Sequence, residues 1–303
     1  MSQASRYCVV CSILGRPDTW NGLDILVCPS CSLAWRATFD LPRDYYGSIQ
    51  VDDENIKKIV RKRNSSDQLN ALKKFLPPSH IYDVGCSDGW FLSNLREKGY
   101  RNCLGIEPGE NGLKISKENG LDVFQGTLND LPRLIVGRNI RALTLFHLLE
   151  HLDDPKEAMR VAHNSLPIGG VLVLETPDVN ASIQKITDHK NHLVYPEHLF
   201  YWNEKSLRKL LENAGFLVVA IKRRSFDWRH APISRSLLRL GLVRDGGKQN
   251  SHKNTTTVSS PDQVQNQKDK NSYFRTLIRF VLAHLVHFLR RDDYILIVAK
   301  TML

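Results

Sequence analysis

The stretch IYDVGCSDGWFLSNLREKGY, residues 81–100, followed at 103–112 by CLGIEPGENG, decides the fold. The short apolar run from His80 to Val84 predicts a strand, followed by a glycine turn. Asp83-Val84-Gly85-Cys86-Ser87-Asp88-Gly89 then turns the chain, with Gly85 letting the backbone bend and approach a ligand without a Cβ in the way. Trp90 to Lys98 predicts a helix, and Cys103 to Glu107 a second strand ending on an acid 22 residues after Gly85.

The same alternation runs outward from there. A helix is expected over 110–119 and a strand at Leu121 to Phe124. A strand follows at Ala142 to Phe146, a helix at Pro155 to Leu166, and a strand at Val171 to Glu175 after the turn Pro167-Ile168-Gly169-Gly170. Glu204 to Ala214 reads as a helix capped by Asn203 and closed by Gly215. Phe216 to Ile221 and Tyr294 to Ala299 complete the strands. Such regular alternation implies an α/β protein built on an open, doubly wound, mainly parallel sheet. Upstream, residues 52–76 predict a linker helix with a broken apolar stripe, ended by Pro77-Pro78.

Composition agrees with a folded body. The chain has 303 residues, 42% hydrophobic and 24% charged, which excludes a collagen-like, long disordered or disulfide-dense chain. Met1 to Trp20 shows no cationic start followed by an apolar run, and no stretch reaches the length of a spanning helix, so a cytoplasmic protein is expected. The charge is uneven. Residues 222–303 hold 16 Lys and Arg against 6 Asp and Glu, the whole of the +10 net charge, and residues 1–221 are neutral. A neutral body with a basic carboxyl-terminal quarter points to a local anionic contact rather than to nucleic acid bound over the whole surface.

Four of the six cysteines fall in the first 31 residues, as Cys8-x2-Cys11 and Cys28-x2-Cys31, with sixteen residues between the pairs. Two such knuckles place four thiolates around one tetrahedral zinc ion. Two disulfides are the alternative, disfavoured in a reducing compartment. Four protein ligands leave no open position, so the zinc is expected to be structural. Cys86 and Cys103 are expected as small buried residues.

In a doubly wound sheet, ligands bind at the carboxyl ends of the strands beside the switch in strand order. Three features fall there: the glycine turn, Glu107 as a carboxylate able to accept both hydroxyls of a ribose, and His147 just after the fourth strand. A dinucleotide site calls for G-x-G-x-x-G, but the middle position here is Ser87 and the last glycine falls one residue early. A looser G-x-x-x-G turn suits S-adenosylmethionine, which carries no phosphate.

These residues, with LFHLLEHLDDP (145–155), LPIGGVLVLETP (166–177) and EHLFYWNEKSLRKLLENAGF (197–216), resemble the class I S-adenosylmethionine-dependent methyltransferases. The four-cysteine module, Tyr45-Tyr46 and the Glu197-His198 loop resemble, more narrowly, the zinc-ribbon-bearing sugar methyltransferases, including the sugar C-methyltransferase group. The resemblance covers about residues 75–221 and 293–300. It implies a Rossmann-like sheet of seven strands with the last antiparallel, preceded by a small zinc-ribbon module. Asp83, Gly85, Cys86 and Gly89 would frame the methionine end of the cofactor, Glu107 the ribose and Thr127-Leu128 the adenine edge, with His147 near the methionine moiety. Gln125, Asn129 and Asp130 remain candidates for reading the exocyclic amine. The implied catalytic residues are His198 as proton acceptor, Glu197 as its orienting group, as the acceptor itself or as a binder of a substrate hydroxyl, and Tyr46 from the amino-terminal module.

Other readings compete for some of these residues. His147-x-x-Glu150-His151 matches the H-x-x-E-H pattern of an inverted zinc protease, but a strand precedes it and Asp153-Asp154-Pro155 cuts any helix to about a turn. The segment 177–203, with His189, His192, Tyr195, Tyr201 and Trp202, reads as an aromatic loop over the carboxyl edge. Residues 244–272 are polar, and the flanking segments 233–243 and 273–291 read either as core-packing helices or as an interfacial pair on an anionic membrane.

The expected organisation is a zinc ribbon at 1–47, a linker helix at 48–78, a methyltransferase core at 79–224 and 292–303, and a basic insertion at 225–291. The expected reaction is methyl transfer from S-adenosylmethionine to a small-molecule or glycan acceptor, a sugar first, with peripheral membrane contact through 231–291. A quinone precursor is the second acceptor. RNA is a third, disfavoured because residues 1–47 carry only Arg6, Arg16, Arg36 and Arg43 as cations. A non-catalytic cofactor-binding scaffold is the remaining alternative.

Overall fold

The computed structural model describes residues 5–38, 65–181, 184, 189, 194, 197–224 and 293–302. All of them belong to the unit formed by Met1–Phe226 and Arg291–Leu303. Tyr46, most of the expected linker helix and the whole 225–291 insertion lie outside the described residues.

Seven strands form the central sheet: β4 (Ile81–Val84), β5 (Leu104–Glu107), β6 (Val123–Gln125), β7 (Ala142–Phe146), β8 (Val171–Pro177), β10 (Phe216–Arg224) and β11 (Tyr294–Thr301). Their order across the sheet is β10-β11-β8-β7-β4-β5-β6. β4 lies parallel to β5 and β7, β5 to β6, and β7 to β8, whereas β11 runs antiparallel to both neighbours. The strand order therefore reverses at β4. Every residue of β4 is buried, as are Ala142–Leu145 of β7 and Ile295–Ala299 of β11, which accounts for their apolar runs, interrupted only by Asp83 and Thr144.

The helices carry amphipathic patterns that seat them on this sheet. α1 covers 65–72 and buries Leu69 and Leu72; α2 (Trp90–Glu97) buries Phe91, Leu92 and Leu95. α3 (Glu110–Glu118), the single-turn α4 (Leu131–Leu134) and α5 (Pro155–Ser165) follow. Asp154 caps α5 by accepting from Glu157 N, with Pro155 at its first turn. α6 (Glu204–Asn213) starts on Asn203, whose side chain accepts from Ser206 N at 3.0 Å while the Ser206 hydroxyl accepts from Asn203 N.

The cysteine module is a second, smaller sheet, ordered β1-β2-β3-β9: β1 (Arg16–Trp20), β2 (Leu23–Val27), β3 (Ala34–Arg36) and β9 (Phe200–Tyr201). The fourth strand comes from the far side of the sequence, Ala34 pairing with Tyr201 and Trp35 with Phe200. The apolar core is continuous across the join: Leu33, Trp35 and three of the cysteines pack in one cluster with Phe200, Trp202, Leu207, Leu210 and Phe216.

Candidate functional site

The turn after β4 has the shape its glycines predict. Gly85 and Gly89 adopt φ of +74° and +79°, and Ser87, standing where a glycine is usual, takes the same left-handed region at +50°. That conformation costs a non-glycine residue about 1 kcal/mol. It is held by the Ser87 N–H donating to Glu107 Oε2 at 2.8 Å and by the Ser116 hydroxyl donating to the Ser87 carbonyl at 2.9 Å. A Cβ on Gly89 would lie 2.3 Å from Leu121 Cδ1, so α2 begins where only glycine fits. Cys86 is buried; Cys103 is half-buried.

Glu107 ends β5 with both oxygens engaged, Oε2 by Ser87 N and Oε1 by Gly109 N at 2.8 Å. Backbone donors thus fix the carboxylate across the mouth of β4 and β5. Asp83 sits one strand over, 3% exposed, accepting from the Thr144 hydroxyl at 2.6 Å. Burial pushes its carboxyl up to about 7, opposed by the Thr144 hydrogen bond and helped by the charge of Glu107. Thr127 N and Oγ1 both donate to Asp130 Oδ2, a capping box that holds the short turn Leu128–Asp130 beyond β6. Asp130, a candidate for reading the base, is thereby committed to shaping its own loop.

At the end of β7, His147 takes φ of +52° and lies between two buried acids. Its Nε2 is 3.3 Å from Glu175 Oε1 and its Nδ1 3.6 Å from Glu150 Oε1. Burial opposes its charge, yet the two carboxylates raise its pKa to about 10. Glu175, buried at the end of β8, also accepts from Gln68 Nε2 at 2.7 Å and pairs with Arg224. Burial would lift its pKa, but His147 and Arg224 hold it down to about 2.

The loop before β9 is stitched to both modules. Leu199 N donates to Glu150 O at 2.8 Å, and Arg36 N of β3 donates to Leu199 O at 3.0 Å. His198 is 6% exposed and burial pulls its pKa down to about 4. Its ring meets His151 edge-on at 4.9 Å, and Glu150, His151 and His198 bring ligand atoms within 4.8 Å of one another. His151 Nδ1 lies 3.1 Å from the Glu197 carbonyl oxygen. Glu197 itself is half-buried. Among the aromatic members of 177–203, Tyr201 and Trp202 are core residues and His189 stacks on Trp20 at 3.9 Å. His192 and Tyr195 lie outside the described residues.

The four amino-terminal cysteines converge. Cys8 Sγ and Cys31 Sγ are 3.7 Å apart, and all four sulfurs lie within 4.8 Å of one another. Cys11 N faces Cys8 Sγ and Cys31 N faces Cys28 Sγ, while Ser12 and Ser32 take φ of +57° one residue on, the two halves repeating one knuckle. Helix α6 closes on the cluster: Asn203 Nδ2 donates to Cys31 O at 3.0 Å and Lys209 Nζ approaches Cys11 Sγ at 3.4 Å.

The structure thus gathers Asp83, Gly85, Gly89, Glu107 and His147 along the carboxyl edge of β4, β5 and β7, and sets Glu197 and His198 beside Glu150 and His151. Sequence reasoning missed Glu175, Thr144 and Arg224. Glu175 left a signal, as an acid at the end of an apolar strand run.

A strand order that reverses beside a glycine turn, with an acid ending the next strand, defines a doubly wound sheet with its ligand crevice at the carboxyl edge. The family model described as methyltransferase domain matches residues 56–221, and the chain belongs to that family. A tRNA U34 carboxymethyltransferase of Aliivibrio salmonicida is 25% identical over 166 residues, covering 49% of this chain and 50% of that protein. A ubiquinone biosynthesis O-methyltransferase of Pseudomonas aeruginosa is 28% identical over 106 residues, covering 33% and 45%. The chain thus spans about half the length of these curated relatives. A solved S-adenosylmethionine-dependent methyltransferase from Archaeoglobus fulgidus shares the fold, with a TM-score of 0.51 and 16% identity over 81% of this chain and 98% of that one. Among the described residues no helix is long and apolar enough to cross a membrane.

Proposed function

We propose that the chain transfers a methyl group from S-adenosylmethionine to a hydroxyl-bearing small or glycan-linked acceptor, a sugar in nucleotide-sugar or surface-glycan biosynthesis. The observation that carries the cofactor side is the chemistry of the turn. Gly85 and Gly89 bring bare backbone to its mouth, and Glu107 presents there a carboxylate fixed by two backbone N–H groups, a set that suits ribose hydroxyls and repels a pyrophosphate. When bound, S-adenosylmethionine supplies an electrophilic methyl group on sulfur, whose transfer leaves a neutral thioether.

The chain's own residues do the rest. Asp83, Gly85, Cys86 and Gly89 hold the methionine end, with His147 beside it. Glu107, its carboxylate fixed by two backbone N–H groups, keeps lone pairs for both ribose hydroxyls. Thr127 and Leu128 border the adenine on a loop that Asp130 stiffens. On the acceptor side, His198, expected as the proton acceptor, is buried with its pKa pulled down to about 4, so half-buried Glu197 takes the proton that the acceptor hydroxyl loses and His198 sets its place; Tyr46 keeps the acceptor-side role that the resemblance implies.

The sugar assignment rests on the Glu197-His198 loop and its union with the cysteine module. Similarity to the ubiquinone O-methyltransferase favours a quinone precursor as the second reading. In the module, Cys8, Cys11, Cys28 and Cys31 hold a structural zinc. A tetrahedron with zinc–sulfur bonds of about 2.3 Å has edges of about 3.8 Å, close to the 3.7 Å between Cys8 and Cys31. The proposed organisation keeps the ribbon at 1–47, the linker at 48–78, the core at 79–224 and 292–303, and the insertion at 225–291.

The test offers methyl-labelled S-adenosylmethionine with nucleotide-linked sugars, phenolic quinone precursors and bulk tRNA. Label in the sugar fraction is the expected result. Label in another fraction reassigns the acceptor, and a protein that binds no S-adenosylmethionine by calorimetry overturns the reading.

A further inference from the structure

The Glu150 side chain is 1% exposed, and neither of its carboxylate oxygens accepts a hydrogen bond among the described residues. Its nearest cationic neighbour, His147 Nδ1, stands at 3.6 Å, too far for a hydrogen bond, and His147 is already engaged with Glu175 on its other face. His147 balances part of its charge at that distance, but both buried oxygens keep lone pairs with no donor to fill them, a capacity that a metal cation would use.

Two imidazoles are arranged around it. His151 Nδ1 lies 3.1 Å from the Glu197 carbonyl, so that nitrogen donates and Nε2 carries the lone pair. This is the outer-shell arrangement typical of metal-binding histidines, in which one ring nitrogen donates to a backbone carbonyl and orients the other. His198 brings its ring edge-on to His151 at 4.9 Å, and one ligand atom from each of the three residues falls within 4.8 Å of the others. Backbone bonds hold the arrangement: Leu199 N donates to Glu150 O, tying the His198 loop to the turn that bears Glu150 and His151.

We propose that Glu150, His151 and His198 form a binding site for a divalent first-row transition-metal ion, separate from the four-cysteine cluster. A carboxylate with two imidazoles is a mixed oxygen and nitrogen set that suits Mn2+, Fe2+ or Zn2+ better than Mg2+ or Ca2+. Three ligands leave coordination positions open for oxygen atoms of water or of an acceptor. The site gives the H-x-x-E-H segment a role other than the protease pattern, since its Glu and second His find their partner in His198 on a different loop. Any part the ion plays toward an acceptor rests on the methyltransferase reading above; its binding does not.

The test uses the full chain with zinc already on its cysteines and titrates Mn2+, following loss of the free-ion electron paramagnetic resonance signal. Mn2+ is too hard to displace zinc from four thiolates. The expected result is one tight Mn2+ site, weakened by about tenfold or more in Glu150→Gln and in His151→Ala. S-adenosylmethionine affinity, measured on the same samples by calorimetry, should stay near that of the parent and certifies that each variant is folded. A chain that binds S-adenosylmethionine but takes up neither Mn2+ nor zinc beyond the cysteine cluster overturns the proposal. So does Mn2+ uptake that neither substitution weakens. Uptake of Mn2+ at this site by a chain that binds no S-adenosylmethionine supports the ion site while refuting the functional reading.

Discussion

Replacing Asp83 by Asn should stabilise the ligand-free protein, and increasingly so as the pH rises. The Asp83 carboxyl is buried, with one hydrogen bond from Thr144, and burial pushes its pKa from 3.8 up to about 7. The unfolded chain releases this proton near pH 4, whereas the folded chain keeps it until about 7. Between those values the folded state binds more protons, so stability falls as pH rises, by at most about 1.4 kcal/mol per pH unit, and levels off above 7. A rise of about three units corresponds to about 4 kcal/mol of unfavourable ionisation at pH 8.5. Asn keeps the shape and an oxygen for Thr144 but has no proton to lose. Urea unfolding of parent and Asp83→Asn from pH 4.5 to 8.5 should give curves separated by about 1 kcal/mol at the acid end and by up to about 4 kcal/mol at the alkaline end, the variant being the more stable. Other titrating groups cancel in the difference. Parallel curves, or a parent that gains on the variant as pH rises, would show that burial does not hold this carboxyl neutral.

Other expectations concern the cofactor turn, the metal and the acceptor loop. Glu107→Ala should weaken S-adenosylmethionine binding by about a hundredfold in calorimetry, the loss of two charge-assisted hydrogen bonds at roughly 1.5 kcal/mol each. Gly89→Ala should destabilise the fold by about 2–3 kcal/mol in thermal unfolding, combining a left-handed φ with a Cβ 2.3 Å from Leu121. Metal analysis of purified chain should find zinc on the cysteines, and Cys31→Ser should lower both zinc content and melting temperature. Glu197→Ala should reduce turnover by about a hundredfold with cofactor affinity nearly unchanged; undiminished turnover would move the proton acceptor elsewhere.

The central sheet is readable in the sequence because β4, β7, β8 and β11 are buried on both faces and so appear as short, mainly apolar runs between turn formers. Helix α6 is equally plain, since Asn203 and Gly215 mark its ends. β9 is not. Two residues long, it forms because Trp35 and Ala34, far away in the chain, offer it a partner, and no local periodicity announces such a pairing. The segment 177–203 therefore reads as a loop. Glu107 and the glycine turn could be placed from spacing, because strand–turn–helix geometry fixes them locally. The meeting of Glu150 and His151 with His198 could not, because it depends on where a distant loop is pinned. Ser87 stands between these cases: its departure from glycine is visible in the sequence, but only the Glu107 hydrogen bond shows how a serine tolerates that backbone.

Leu199 gives its amide hydrogen to one module and its carbonyl to the other, Glu150 on the side of the central sheet and Arg36 on the cysteine side. The backbone of a single residue thus serves as a rivet between the two modules. Chimeras that exchange the residues around it between related proteins should succeed only when the matching amino-terminal strand travels with them. A graft without that strand would leave an orphan Leu199 carbonyl and a bare Phe200 seam, so this loop and the small sheet would have to change hands together.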